Sequence, residues 1–316
     1  MDFSQFATPT PEWLEYARTH PPPSSAAPSI SPHDNESLTK LRNASNLDRS
    51  KWSAQKLIEH DLVGQFITRD HLVPTQDGNS IPLRFYYPKS KFSQSSNEDG
   101  GPVSGACCSA FIHIHGGGFL NGSLDTETYI CAAIAVKLGI VVAHPEYRHT
   151  NDVSFPVPHD DVWDAFQWIH SHCSDIGIDP SNMVVGGQSA GSGMAASLVQ
   201  REVNGARQEG RSSRIKGQVL TIPWLAHPLA FDKSRFLDES VMSTTQCANA
   251  VGLSTEKLRW FASLLGAEDV FSEKLNPGLK QGSALEGIPK AAFLVAGGDP
   301  LRDQGLLYAK NLEDAG

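Results

Sequence analysis

The chain predicts an α/β fold, a mostly parallel central sheet flanked by helices and carrying a helical cap. Two observations lead there. From Cys108 onward, short apolar runs alternate with amphipathic stretches, the pattern of strands joined by crossover helices. Residues from about 225 to 285 then interrupt that alternation without strand character, as an insertion above a sheet would.

Each element follows from its residues. The first 60 residues hold helical fragments separated by a proline- and serine-rich linker, His20–Pro28, that suits neither helix nor central strand. Gln65–Val73 and Ile81–Tyr87 read as two strands joined through the turn pair Asp77-Gly78. Lys89–Gly105 is polar and glycine-rich, hence a surface loop. Cys108–Ile114 is a strand, Thr126–Leu138 a helix, and Ile140–Ala143 a strand. Asp160–Ser171 is a helix with Val162, Phe166 and Ile169 on one face. A strand at Met183–Gly186, a small-residue helix through Met194–Val199 and a strand at Gly217–Ile222 come next. Thr255–Leu265 is a helix stopped by Gly266. Ala291–Ala296 returns to strand and Leu301–Leu312 closes with a helix. Residues 1–60 thus stand apart as an N-terminal region, and residues 61–316 form the main domain.

Composition narrows the function. A net charge of −9 argues against nucleic acid or an anionic membrane as partner. The N-terminus lacks the basic and apolar regions of a secretory signal, and no apolar run is long enough to span a bilayer. The odd set of 5 cysteines has no metal or redox spacing and reads as free thiols. A soluble cytoplasmic protein is expected.

Three motifs carry chemistry. Gly187-Gln188-Ser189-Ala190-Gly191 has the form G-x-S-x-G and follows an apolar strand, the signature of a serine on a sharp strand-to-helix turn. His115-Gly116-Gly117-Gly118 ends another strand. Acyl transfer builds negative charge on a carbonyl oxygen, and the backbone amides of Gly117, Gly118 and Ala190 would form the oxyanion hole. His115 is expected to hold that loop through its ring, with Gly116 in support. Asp299, in Asp299-Pro300-Leu301-Arg302-Asp303, follows a strand and precedes a helix. It is the candidate acid to orient a catalytic histidine, although Asp-Pro is also an ordinary helix start. His113 and His115 alternate on one strand face, but no third ligand stands at metal spacing. Gly191-Ser-Gly193 through Ala196 has the form G-x-G-x-x-A, yet no acid ends the next strand to hold a ribose. No metal or cofactor is expected.

Together these motifs resemble the hormone-sensitive lipase family of α/β-hydrolases. Glu146-Tyr147-Arg148, Phe155-Pro156, Asp160-Asp161 and Asp179-Pro180-Ser181 fall in the family's order, and the likeness covers roughly residues 62–316. It implies an α/β-hydrolase fold with a cap that residues 1–60 would complete as an N-terminal cap region, and a serine carboxylesterase acting on small or medium esters, with Ser189 and Asp299 catalytic. Two features depart from the family. Gln188 stands where an acid is usual, and no histidine follows His227, so the family's base has no matching position. That points to a missing last strand and helix, weak activity of these residues alone, and an uncovered strand edge prone to self-association. His227 follows a strand and could approach the site, although a cap or surface place suits it better. A different reading is a small-molecule-binding protein on the same scaffold, as in gibberellin receptors. The aromatics Trp224, Phe231, Phe236, Trp260 and Phe261 suit either an acyl-binding wall or an ordinary core.

Overall fold

A computed structural model describes residues 1–20, 26–92 and 107–316. Most of the linker expected in 20–28 and of the loop expected in 89–105 lies outside the described residues. Seven strands form one sheet: β1 Phe66–Pro74, β2 Ser80–Pro88, β3 Cys108–Ile114, β4 Val141–Pro145, β5 Ile178–Gln188, β6 Ile215–Thr221 and β7 Lys290–Leu294. Their order is β1-β2-β4-β3-β5-β6-β7. β1 and β2 run antiparallel, and β3 to β7 are parallel to one another. A two-residue turn at Asp77-Gly78 does not close the hairpin: Pro74 pairs with Ser80, and Thr75 N–H bonds the Asn79 carbonyl across a wider loop.

The helices are α1 Pro11–Thr19, α2 Asn35–Glu59, α3 Thr128–Leu138, α4 Val157–Ser171, α5 Cys173–Ile176, α6 Ala190–Gln208, α7 Ser243–Gln246, α8 Thr255–Leu264 and α9 Arg302–Ala315. Among them none is long and apolar enough to cross a membrane. α4 buries Val162, Phe166 and Ile169 against the sheet, the face its periodicity marks. α8 ends before Gly266, which takes the left-handed conformation expected of a helix stop.

The sheet centre is apolar because parallel strands are covered on both faces. Ile112, Ile114, Val185 and Leu220 are fully buried there. Between β6 and β7 the chain forms only short helical turns with α7 and α8. β5 and α6 both extend beyond their apolar cores, since the strand continues into the serine turn and the helix starts immediately after it. β7 stops at Leu294, two residues short of the apolar run. It forms one edge of the sheet, with Leu294 54% exposed. All five cysteines are free.

Candidate active site

The carboxyl ends of the parallel strands gather the three motifs. Ser189 sits between β5 and α6 with φ 53° and ψ −117°, a region non-glycine residues rarely occupy. Its N–H bonds the Thr221 carbonyl at 2.9 Å, and its carbonyl accepts the Trp224 N–H at 3.1 Å. The end of β6 therefore pins the strained residue from both sides. Gly191 has no room for a side chain, because a Cβ there would run into the Ile114 and His115 carbonyl oxygens. The elbow is thus packed against the strand that carries the second motif.

That second motif turns sharply after β3. A Cβ on Gly116 would lie 2.7 Å from the Gln188 carbonyl oxygen and 3.4 Å from the Ser189 Cβ, so the loop runs beside the serine. Leu120 and Asn121 direct their amides back onto the Gly117 carbonyl at 3.2 and 3.0 Å. Among the described residues the amides of Gly117, Gly118 and Ala190 donate to no protein acceptor. Gly118 has φ 63°, and the ring of Phe261 from α8 covers the side where a Cβ would project.

His115 is fully buried. Its Nδ1 lies 3.0 Å from the Gly116 carbonyl, and its ring stacks on Tyr147 at 4.2 Å. Tyr147 in turn donates its hydroxyl to the His115 carbonyl at 3.1 Å. Burial, reinforced by His144 and His149 nearby, lowers the His115 pKa well below the usual value, so the ring is neutral and its Nδ1–H donates to Gly116.

Asp299 lies just beyond β7, two strands across the sheet from the serine turn, so the strand ends that carry them are about 10 Å apart. Its Oδ1 accepts the Leu301 amide at 2.8 Å. α9 begins only at Arg302, so Asp299 is not the helix cap that Asp-Pro suggests; it closes the turn before the helix. Burial pushes its carboxyl up to about 6, with that amide pulling weakly the other way. An acid whose folded pKa exceeds its unfolded value holds its proton longer when folded, so stability falls as pH rises from about 4 to 6. Asp299→Asn is therefore expected to be more stable than the parent at pH 7.5 by roughly 1–2 kcal/mol, allowing for partial exposure, and no different at pH 4. Thermal melts at both pH values check this; a less stable Asn variant at pH 7.5 contradicts it.

Every histidine of the chain lies among the described residues, and none hydrogen-bonds Ser189 or Asp299. His227 is buried: its Nδ1 accepts the Leu229 N–H at 3.3 Å, and the Ala262 backbone also bonds the ring. Its backbone N–H is tied to Asn276 at 2.7 Å. The ring is committed to the backbone of the segment between β6 and β7. His159 packs between Phe119 and Phe155. Gln188 ends β5 opposite Thr221, half-buried.

The aromatics divide in space. Trp224 meets Phe119 edge-on at 5.4 Å, while Phe261 lies on Gly118, so both border the glycine loop. Phe231 packs on Phe236, which meets Phe3, in a separate cluster. Motif reading did not anticipate what Arg302 and Asp303 do. Arg302, fully buried, bonds Asp303, Gln246 and the Val241 carbonyl, while Asp303 accepts the Ser243 amide at 2.6 Å. They tie α7 to the turn that holds Asp299. Only the distant sequence partners make this role visible.

A strained serine between strand and helix, beside a glycine loop with free amides, defines the α/β-hydrolase class. The family described as having the alpha/beta hydrolase fold matches residues 111–316, and the chain belongs to it, in its hormone-sensitive lipase-like branch. It is a hydrolase of the carboxylesterase type. It is 30% identical over 251 residues to an ethyl acetate hydrolase of Pseudomonas putida, covering 78% of this chain and 70% of that protein. It is 33% identical over 219 residues to the carboxylic ester hydrolase LipN of Mycobacterium tuberculosis, covering 68% of this chain and 55% of the relative. Among solved structures, a bacterial heroin esterase superposes with a TM-score of 0.71 at 28% identity, covering 98% of this chain and 86% of that one.

Proposed function

We propose that the protein cleaves small or medium carboxylic esters through an acyl-enzyme formed on Ser189. The observation that carries this reading is the strained Ser189 beside the unpaired amides of Gly117, Gly118 and Ala190. In the proposed reaction the Ser189 hydroxyl attacks the ester carbonyl and the amides take up the developing oxyanion. The alcohol leaves, and water releases the acid. The Ser189 proton passes to a base and from it to the departing alcohol; Asp299, whose carboxylate meets the Leu301 amide, is the acid proposed to orient that base, a place that no histidine of the described residues takes. The inserted segment of about 225–285, with the N-terminal region, acts as the cap, and Phe261 and Trp224 wall the substrate. The relatives' names as ester hydrolases support the substrate class.

A second reading is favoured by the absence of any histidine bonded to Ser189 or Asp299: a binding protein that holds a small molecule without turnover. Fluorophosphonate labelling separates the two. An activated serine is labelled at Ser189, the label is lost in Ser189→Ala, and the same variant loses turnover of p-nitrophenyl acetate by about a thousandfold or more, if the parent turns it over. No label on the parent, with ligand binding unaffected by Ser189→Ala, would favour the binding protein.

A further inference from the structure

The long helix α2 carries a polar stripe that ends on the glycine loop. Thr39, Arg42, Asn46, Arg49 and Ser53 recur at helical spacing and all face inward. Asn46 makes two bonds to Gly122, donating to its carbonyl and accepting its amide, each at 2.8 Å. Arg49 reaches the Gly116 carbonyl at 3.4 Å and pairs with the buried Glu127 at 2.5 Å. Glu127 also meets His113 of β3 at 3.3 Å. Burial works against the Glu127 charge, and its His113 and Arg49 partners outweigh it, holding the carboxyl at about 2. The ion pair is therefore intact at neutral pH. Toward the start of the stripe, Thr39 and Arg42 bond Asn151, and Arg42 also bonds Asp152. The adjacent Thr150 donates its amide to the Phe119 carbonyl at 3.0 Å. Gly116, Phe119 and Gly122 are thus the beginning, middle and end of one loop; α2 bonds the first and last directly and reaches the middle only through the Thr150–Asp152 segment.

We propose that α2 is a splint for the glycine loop, with Asn46 and Arg49 as positioning residues that aim the Gly117 and Gly118 amides at the reacting carbonyl. The inference rests on the reading of Ser189 and this loop as the reacting centre. Within the loop, the Asn121 side chain donates to the Gly117 carbonyl at 3.3 Å and the His115 ring bonds the Gly116 carbonyl, but both hold carbonyls on the inner side of the turn. A displacement near 1 Å at such donors can slow a reaction about a hundredfold. The bonds from α2 add a constraint at the two ends of the loop from a helix far away in sequence. Ser53, on the same stripe, bonds only the Tyr129 amide of α3 at 2.8 Å and does not touch the loop. It serves as the control for simple docking of the helix.

The test compares Asn46→Ala, Arg49→Gln, Arg49→Lys and Ser53→Ala in the full chain by two measurements. One is the rate of fluorophosphonate labelling of Ser189, with kcat and KM for p-nitrophenyl acetate where turnover is measurable. The other is amide hydrogen exchange across residues 116–122. Asn46→Ala and Arg49→Gln are each expected to slow labelling about ten- to a hundredfold, lowering kcat with KM little changed. Exchange in the loop rises in both, Arg49→Lys recovers part of the loss, and Ser53→Ala labels within about twofold of the parent. Equal slowing by Ser53→Ala, or unchanged loop exchange in Asn46→Ala and Arg49→Gln, overturns the splint. If the parent takes no label while Asn46→Ala still frees the loop, the reading of Ser189 fails and the splint stands as the loop's anchor.

Discussion

Below pH 6.5 the folded protein is expected to lose stability steeply, because His115, His144, His149 and His159 are buried as neutral rings. Burial comes first among the causes in each. It lowers His115 and His144 well below the ordinary value, His149 to about 4 and His159 to about 3. Neither ring nitrogen of His144 has a protein partner, nor do Nε2 of His115, Nε2 of His149 or Nδ1 of His159, so little on the protein rewards a proton. The unfolded chain takes protons up near pH 6.5 while the folded rings refuse them, so stability falls as pH drops below that value. At pH 5 each ring costs about 2 kcal/mol, and the four together roughly 8, comparable to the whole stability of an ordinary domain. Asp299 acts in the opposite direction over the same range, but as a single, partly exposed group it offsets only a fraction. Urea unfolding at pH 8, 6.5 and 5 measures this directly. A midpoint that does not move between pH 8 and 5 contradicts it. His144→Leu should be close to neutral at pH 8 and recover about 2 kcal/mol at pH 5.

The second large effect is steric. Gly191→Ala places a methyl against the Ile114 and His115 carbonyl oxygens, and neither can retreat without moving β3 away from β5. The expected cost is at least about 3 kcal/mol, with labelling of Ser189 lost. Gly205→Ala, in the same helix, provides the contrast. A Cβ there meets nothing within 4 Å, so the higher helix propensity of alanine should stabilise by roughly 0.5–1 kcal/mol. Denaturant midpoints of the two variants are expected to move in opposite directions. A Gly191→Ala protein that melts with the parent and labels at the parent's rate would show that the elbow tolerates a Cβ.

Much of this molecule was legible in its residues. The elbow, the glycine loop and the alternating strands follow local rules, since a strained turn requires glycine around it and a buried parallel strand requires an apolar run. Element ends were less legible. β5 continues to Gln188 because pairing with β3 and β6 extends it past its apolar stretch. β7 stops at Leu294, with Val295 and Ala296 already in the turn that leads to Asp299. The start of α9 was misplaced because Asp299 closes a turn with Leu301, and the helix begins one residue later.

The residues by themselves determined the fold class, the place of Ser189 in its elbow and the loop beside it, since each is written in neighbouring positions. Only the tertiary structure decided what holds them. Asn46 and Arg49 stand about 70 residues before the loop they support. His227 stands close in sequence to Trp224 yet is taken by the backbone of its own segment. Long-range hydrogen bonds form between groups that carry no mutual pattern along the chain, so folding alone brings them together. The same holds for the four buried rings, whose shared neutrality comes from the core closing around them.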